Sequence, residues 1–439
     1  MIPDRTSGTT IPALAMARYG AMALPLAFAG LPVYLHAPDF YATDLGVSLT
    51  GLGIVLLVLR LIDALQDPLI GSYSDRWSDY RSAILSFGAV LLGGGFWMVF
   101  SPAGSLPLLW FAAAVLLCTT GFSIVSINLQ ALGGLWHAQD ADRTRIAGWR
   151  EGLGLLGLLL AAMAPTLLAG GEDRATAFGR LALLYLPLLA VGLWLLLGWL
   201  RQAQLDRPVA DKPAIAWRAV LADPWRHQFF GLYLLNTIAG SIPAVLVMFF
   251  IRDRIGAEDM TGLFLLAYFL SGAVSMAIWP RISNRFGKVR TWAASMALAI
   301  LTFVWAALLG PGDIAAYAAV CVLSGLALGA DLALPAAILA DHIARRRMQD
   351  AASRLYSIMT FVSKAALALA TGLTLPALGL LGYTPGSQLT GNTAGLLSLA
   401  YAVVPCLLKA ATLTWLLAVL PRIETEHAPD GNSLAAENI

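Results

Sequence analysis

From Ile11 to Leu420 the chain is a succession of apolar stretches separated by short polar breaks, most of them about twenty residues or longer. Backbone placed in hydrocarbon must satisfy every N–H and C=O internally, which leaves only helices and closed barrels. Continuous apolar runs, without the period-two alternation that a barrel strand needs, select helices. Charged residues make up 12% of the chain and hydrophobic residues 59%, whereas soluble domains carry about 25% charged residues. A soluble globular enzyme or a nucleic-acid binder is therefore excluded, and the expectation is an all-α integral membrane protein. Twelve spans are predicted near residues 11–36, 45–72, 82–101, 105–133, 147–170, 179–201, 227–251, 260–280, 290–310, 313–340, 354–383 and 393–420. The first run is too long for a signal-peptide core and is expected to remain as a span. Cys118, Cys321 and Cys406 lie far apart inside apolar runs and read as small core residues.

Within the second run, Arg60-Leu-Ile-Asp63-Ala-Leu-Gln66-Asp67-Pro68 places two carboxylates four residues apart. On a helix they share one face, a turn apart. A carboxylate at bilayer depth costs about 2.5–3.5 kcal/mol, and two on one face also repel. A cation, a proton or a basic side chain must compensate them, so Asp63 and Asp67, with Gln66 between them, are the candidate cation-coupling residues. Acids that merely position neighbouring helices in a water-filled vestibule are the plainer alternative.

Basic residues set the orientation. The breaks after spans 2, 4, 6, 8 and 10 carry Arg76, Arg81, Arg143, Arg145, Arg201, Arg207, Lys212, Arg218, Arg226, Arg281, Arg285, Lys288, Arg290 and Arg345-Arg346-Arg347, against Arg174, Arg180, Arg252 and Arg254 on the other side. Both termini are thus expected in the cytoplasm. The proline-bearing stretch 201–226 divides the chain into a bundle over 1–200 and a bundle over 227–420, with a polar cytoplasmic tail at 421–439. Ala214 to Leu221 within that linker has the pattern of a short interfacial helix. Pro25, Pro32 and Pro243 are expected to bend the first helix of each half.

Gly71-x-x-x-Asp75-Arg76 with Arg81 follows span 2, and Pro280-x-x-x-Asn284-Arg285-x-Gly287-Lys288 follows span 8. Both resemble the signature loop of the major facilitator superfamily. The resemblance implies a latch closing the cytoplasmic side, formed by Gly71, Asp75, Arg76, Arg81, Arg285 and Lys288. A closer resemblance rests on Tyr19-Gly20, on Phe40-Tyr41-Ala-Thr43-Asp44-Leu-Gly46-Val-Ser48, and on Arg60-x-x-Asp63-Ala-x-x-Asp67-Pro68-x-x-Gly71. Downstream it continues with Asp341 and Tyr356-Ser357-x-x-Thr360-x-x-x-Lys364, and more weakly with Ala131-Leu132-Gly133, Arg143 and Arg150. These stretches are similar to the glycoside–pentoside–hexuronide:cation symporters. The resemblance implies that Asp63 and Asp67 bind the coupling sodium or proton, that Lys364 lies beside them, and that Arg150 bridges to span 4.

A galactoside-carrying member of that family holds sugar hydroxyls with an acid in span 1 and an acid in span 4; here the aligned places are Ala27 and Ser126. Neither accepts a charge-assisted hydrogen bond, so this chain departs from galactoside recognition. Gln66 stands where a sodium-coupled member carries a shorter amide, which weakens sodium relative to a proton.

Asp331 is a further acid inside span 10, read either as a solute or cation contact or as a partner of Lys364 or Lys409. Asn128 and Gln130 are polar groups at span depth, more consistent with helix packing than with ligand contact. Tyr19, Tyr34 and Tyr268 are aromatic candidates for the cavity wall, and Trp110, Trp279, Trp292 and Trp305 for interface anchors. The function expected is transport of a small organic solute, a sugar or glycoside, by alternating access, coupled to H+ or Na+. No other cofactor or metal is expected, and the partners are the solute and the lipid bilayer, the protein being a monomer. The alternatives are an amphipathic, lysolipid-like solute, since lysophosphatidylcholine transporters also resemble this family, and a non-transporting scaffold with the same fold.

Overall fold

The computed structural model describes residues 11–103, 106–169, 174–206, 217–383 and 391–425. Helices dominate, and among the described residues the only β pairing is an isolated antiparallel bridge between Trp136 and Leu205. In chain order the main helices are α1 (Ala13–Tyr34), α2 (Leu49–Arg76), α3 (Arg81–Phe100), α4 (Pro107–Leu135), α5 (Asp140–Ala169), α6 (Arg174–Leu200) and α7 (Pro224–Phe249). They continue with α8 (Thr261–Ser275), α9 (Lys288–Phe303), α10 (Ile314–Arg345), α11 (Ala352–Leu380) and α12 (Thr393–Val419).

Among the described residues nine helices are long and apolar enough to cross a membrane, or ten if the pair Glu258–Ser275 and Trp279–Phe286, bent by 45°, is one span. Helices α2 and α5 occupy the places of the second and fifth expected spans and fall outside that count. The bend after α8 has a local cause: the helix relaxes into a turn at Met276–Ile278 and restarts at Trp279, with Pro280 in the first turn, where its missing N–H costs nothing. In α1 the expected bend at Pro32 is a π-helical segment, Pro32–His36, and a second break falls at Ala21–Met22, ahead of Pro25. By contrast α7 runs through Pro243 and changes to a π-helical segment only at Phe250–Ile255. The chain there leaves the helix at Gly256, whose φ of 71° suits glycine.

Three apolar cores hold these helices. One is built from residues between Met16 and Trp199. Another is built from residues between Ile242 and Ala402. The third joins the two sets: Ala131, Leu135, Ala147 and Leu155 pack with Met276, Trp292, Leu334, Leu339 and Tyr356. Bilayer tails are as apolar as leucine, so close approach supplies the attraction here rather than escape from water. Gly71 marks one such approach, because a Cβ on it would lie 2.8 Å from the Ser353 carbonyl of α11.

Of the expected linker, 207–216 lies outside the described residues, as do Met1–Thr10 and 426–439 of the tail. The predicted interfacial helix is present as a single turn and a half, Trp217–Leu221.

Candidate functional site

The two acids of α2 meet one lysine of α11. Five oxygens surround Lys364 Nζ: Asp63 Oδ1 at 2.8 Å, the Asp63 carbonyl at 3.2 Å, Asp67 Oδ1 and Oδ2 each at 2.9 Å, and Ser123 Oγ at 2.8 Å. Asp67 is fully buried and Asp63 nearly so. Gln66 donates to Asp63 Oδ1 at 3.1 Å and accepts from Thr120 at 3.0 Å, and Ser123 also donates to Asp63 Oδ1 at 3.1 Å. These hydrogen bonds fix the Asp63 and Gln66 side chains in place beside Lys364. Helical spacing supplies the rest: Asp63, Gln66 and Asp67 lie within one turn of α2, and Thr120 and Ser123 are three apart on α4. With both acids ionised, two carboxylates face one ammonium and the cluster carries one negative charge in excess.

Thr120 and Ser123 were the members that sequence reasoning passed over. Their signal was present as hydroxyls repeating at helical spacing inside an apolar run; the alignment drew attention to Ser126, three residues further on. Ser126 instead accepts from Gln130 at 3.2 Å, and Gln130 also reaches Thr360 of α11 at 3.4 Å. Thr360 is buried and donates to the Tyr356 carbonyl. Asn128 is a packing residue, donating to Ser74 at 2.8 Å and to the Ile124 carbonyl at 2.8 Å.

Two expectations are corrected. Tyr19 does not line a cavity: it is fully buried, donates to the Leu129 carbonyl at 2.7 Å, and packs its ring against Trp136 and Trp199. The implied bridge from Arg150 to α4 is not found among the hydrogen bonds and ion pairs of the described residues, and its ion pair is not with the α2 acids. Arg150 grips Glu151 beside it in α5, with Nε at 3.0 Å and Nη2 at 2.5 Å from Oε1. The short reach between successive residues lets one carboxylate oxygen take two of the guanidinium's donors.

Asp331 pairs with Lys409 of α12 at 2.6 Å, not with Lys364. Lys409 also donates to Asn236 of α7 at 2.8 Å, and Trp292 of α9 donates to Asp331 at 3.1 Å. One carboxylate meets one ammonium, so this second cluster is neutral, and every member comes from α7, α9, α10 or α12.

The latch residues divide. Asp75 at the end of α2 accepts the backbone N–H of Ser353 at 2.8 Å, that of Arg354 at 3.0 Å, and Arg354 Nε at 3.0 Å, with Arg81 at 4.0 Å. It thereby caps the N-terminus of α11, where free N–H groups and the positive helix end both favour a carboxylate. Trp217 of the linker turn donates to Ser72 of α2 at 2.8 Å and lies under the Arg354 guanidinium, 6.0 Å from its ring centre. Lys288 belongs to a different grouping: with Arg143 at 3.1 Å and Arg345 at 3.3 Å it converges on Asp341, which it meets at 2.6 Å. Arg143 comes from α5 and Asp341 from α10, so this contact also joins the two sets of helices. Arg76 and Arg285 are exposed, the latter over the ring of Phe286, and neither enters these contacts.

Paired charges buried between two helical sets, capped at one end by a carboxylate that crosses from one set to the other, define the site of a membrane carrier. The sequence model of the family described as MFS/sugar transport protein matches residues 16–420, and the chain belongs to that family, whose members are transporters rather than enzymes. It is 26% identical over 290 residues to the inner membrane symporter YicJ of Escherichia coli, covering 62% of this chain and 61% of that one. The match thus spans about three fifths of that relative's length. Over 380 residues it is 22% identical to the uncharacterized symporter YjmB of Bacillus subtilis, covering 80% of each. A bacterial homologue of the iron transporter ferroportin, solved in an outward-facing state, shares the fold with a TM-score of 0.69 and 16% identity, covering 92% of this chain and 98% of that one. The Escherichia coli fucose:proton symporter FucP shares it with a TM-score of 0.67 and 13% identity, covering 92% and 97%. The fold is that of the major facilitator superfamily, in an integral, multi-pass membrane protein.

Proposed function

We propose that this protein is a cation-coupled carrier of a small polyhydroxylated solute, a sugar or glycoside, working by alternating access between a bundle over 1–200 and a bundle over 227–420. One observation carries the reading: Lys364 of α11 lies across the two sets of helices, among Asp63, Asp67 and Ser123, and leaves one carboxylate charge over. An uncompensated charge at this depth is costly, and a bound cation or proton removes it. The oxygen cage now filled by an ammonium suits a small cation when Lys364 withdraws, and protonation of one carboxylate serves the same purpose. The coupling ion is accordingly H+ or Na+. The symporter names of the relatives and the sugar-transport description of the family support the coupling and the solute class. The carrier acts as a monomer in the bacterial inner membrane, with both termini cytoplasmic, as the distribution of basic residues favours.

The coupled cycle follows from the contacts. In the arrangement described, Asp75 holds the start of α11; on this reading the end bearing the linker is the closed one. Binding of the cation and solute at the opposite opening neutralises the excess charge, loosens Lys364 from the acids, and lets the Asp75 and Asp341 contacts part. The test is uptake of a radiolabelled panel of hexosides and pentosides into proteoliposomes under an imposed Na+ or pH gradient. The gradient that drives accumulation names the ion, and an Asp67→Asn variant that still accumulates solute would refute the coupling role.

A further inference from the structure

The acids that hold sugar hydroxyls elsewhere in the family correspond here to Ala27 and Ser126, yet the first set of helices keeps one half-exposed carboxylate away from the cation cluster. Glu151 is 27% exposed at its side chain, while the Arg150 that grips it is 7% exposed. Arg150 thus engages one carboxylate oxygen, Oε1, through both Nε and Nη2, and the carboxylate side chain stays the more exposed of the two. Where that carboxylate points follows from the helix. One turn on from Glu151, Gly154 faces α1, a Cβ on it falling 3.9 Å from those of Ala23 and Ala27. Leu155, the next residue, reaches α8, coming within 3.5 Å of where a side chain at Gly272 would begin. At i+3 and i+4 these positions flank the direction of Glu151, which therefore points between α1 of the first set and α8 of the second.

The far side of that gap is polar as well. Tyr233 of α7 shares a hydrogen bond of 2.6 Å with Ser363 of α11 and lies within electrostatic reach of Glu151 and Arg150. Thr237 stands one turn further along α7, and Ser363 adjoins Lys364 in sequence. The pair Arg150–Glu151 is neutral overall, so a neutral solute enters without an unpaired charge, and a held carboxylate accepts from hydroxyl donors more strongly than a neutral amide would.

Resting on the reading of this protein as a sugar carrier, we infer that Glu151 is a solute-binding residue, accepting hydroxyls of a neutral glycoside whose opposite edge meets Tyr233 and Ser363. It supplies from α5 the acceptor that Ala27 and Ser126 cannot. The neighbouring Lys364 then lets the state of the cation cluster be felt at the solute.

The experiment is ligand binding by thermal shift and by equilibrium binding on the purified full-length protein. The probes are methyl hexosides and pentosides together with their single deoxy analogues, applied to the parent and to Glu151→Gln and Glu151→Asp. For the glycoside that the parent binds, Glu151→Gln is expected to weaken binding about 10- to 100-fold, the range of a charge-assisted hydrogen bond. One deoxy analogue is expected to bind the parent as weakly as it binds Glu151→Gln, and Glu151→Asp to recover part of the affinity. The stability response to Na+ or pH is expected to persist in both variants, since Glu151 lies outside the cation cluster. Parent-like affinity in Glu151→Gln, or an equal penalty for every deoxy analogue in parent and variant, would overturn the role of Glu151 while leaving the carrier reading intact. A parent that binds none of the glycosides would overturn the sugar reading itself, and with it this inference.

Discussion

The Asp63–Asp67–Lys364 cluster and the Asp331–Lys409 cluster are built from the same materials and placed to opposite effect. Both set a lysine ammonium against carboxylate and supply polar neighbours, Ser123 and Gln66 in one, Asn236 and Trp292 in the other. The first is drawn from both sets of helices and holds two acids to one base. The second stays within the later helices and balances one acid with one base. On the proposed cycle, a charge imbalance seated across the boundary between the two sets makes the motion depend on what neutralises it. A balanced pair inside one rigid set has no such consequence, and its hydrogen bonds serve cohesion.

Substitutions that exchange these properties give the largest effects. With one elementary charge carried per cycle, an imposed 100 mV is worth about 2.3 kcal/mol, about a fifty-fold accumulation of solute. Asp67→Asn removes the excess charge and is expected to abolish that accumulation while sparing counterflow of labelled for unlabelled solute. Asp331→Asn, by contrast, strands Lys409 without its acid. It is expected to cost about 3–5 kcal/mol of stability, seen as a lowered Tm, while gradient-driven uptake per folded molecule persists. Coupling lost in Asp331→Asn and retained in Asp67→Asn would reverse the assignment of the two clusters.

The two seams at the closed end form a smaller version of the same contrast. Asp75 receives three hydrogen bonds from α11, whereas after α8 it is Ser283, beside the matching Asn284, that reaches Thr144 of α5 at 3.4 Å. Asp75→Asn is expected to remove about 1–2 kcal/mol from the closed arrangement. A cysteine placed at Ser357, against Gly71, should then react about 5- to 30-fold faster with a thiol reagent added from that end. Ser283→Ala is expected to change the same labelling rate by no more than about twofold, in keeping with an effect of about 0.5 kcal/mol or less. Equal effects from the two substitutions would show the seams to be equivalent.

Much of this organisation was legible in the sequence. Apolar run length located the helices, since bilayer thickness fixes it, and the cost of buried charge pointed to Asp63, Asp67 and Lys364 before any contact was known. The pairing of Asp331 with Lys409 rather than Lys364 was not legible, because a lysine's long stem reaches acids on several helices and spacing along the chain does not say which. Tyr19 shows the same limit from the other side: its type suits a sugar-binding wall, but its orientation about α1 turns it into the packing between α4 and α6. Glu151 went unremarked because its partner is its immediate neighbour, and adjacent opposite charges in a sequence look like an ordinary solvated pair.

The most direct test of the central claim is accumulation of a transported glycoside in proteoliposomes under an imposed cation gradient, measured side by side for the parent, Asp67→Asn and Asp331→Asn. The account predicts accumulation in the parent and in Asp331→Asn, and only equilibration in Asp67→Asn. Accumulation by Asp67→Asn to the level of the parent would contradict it.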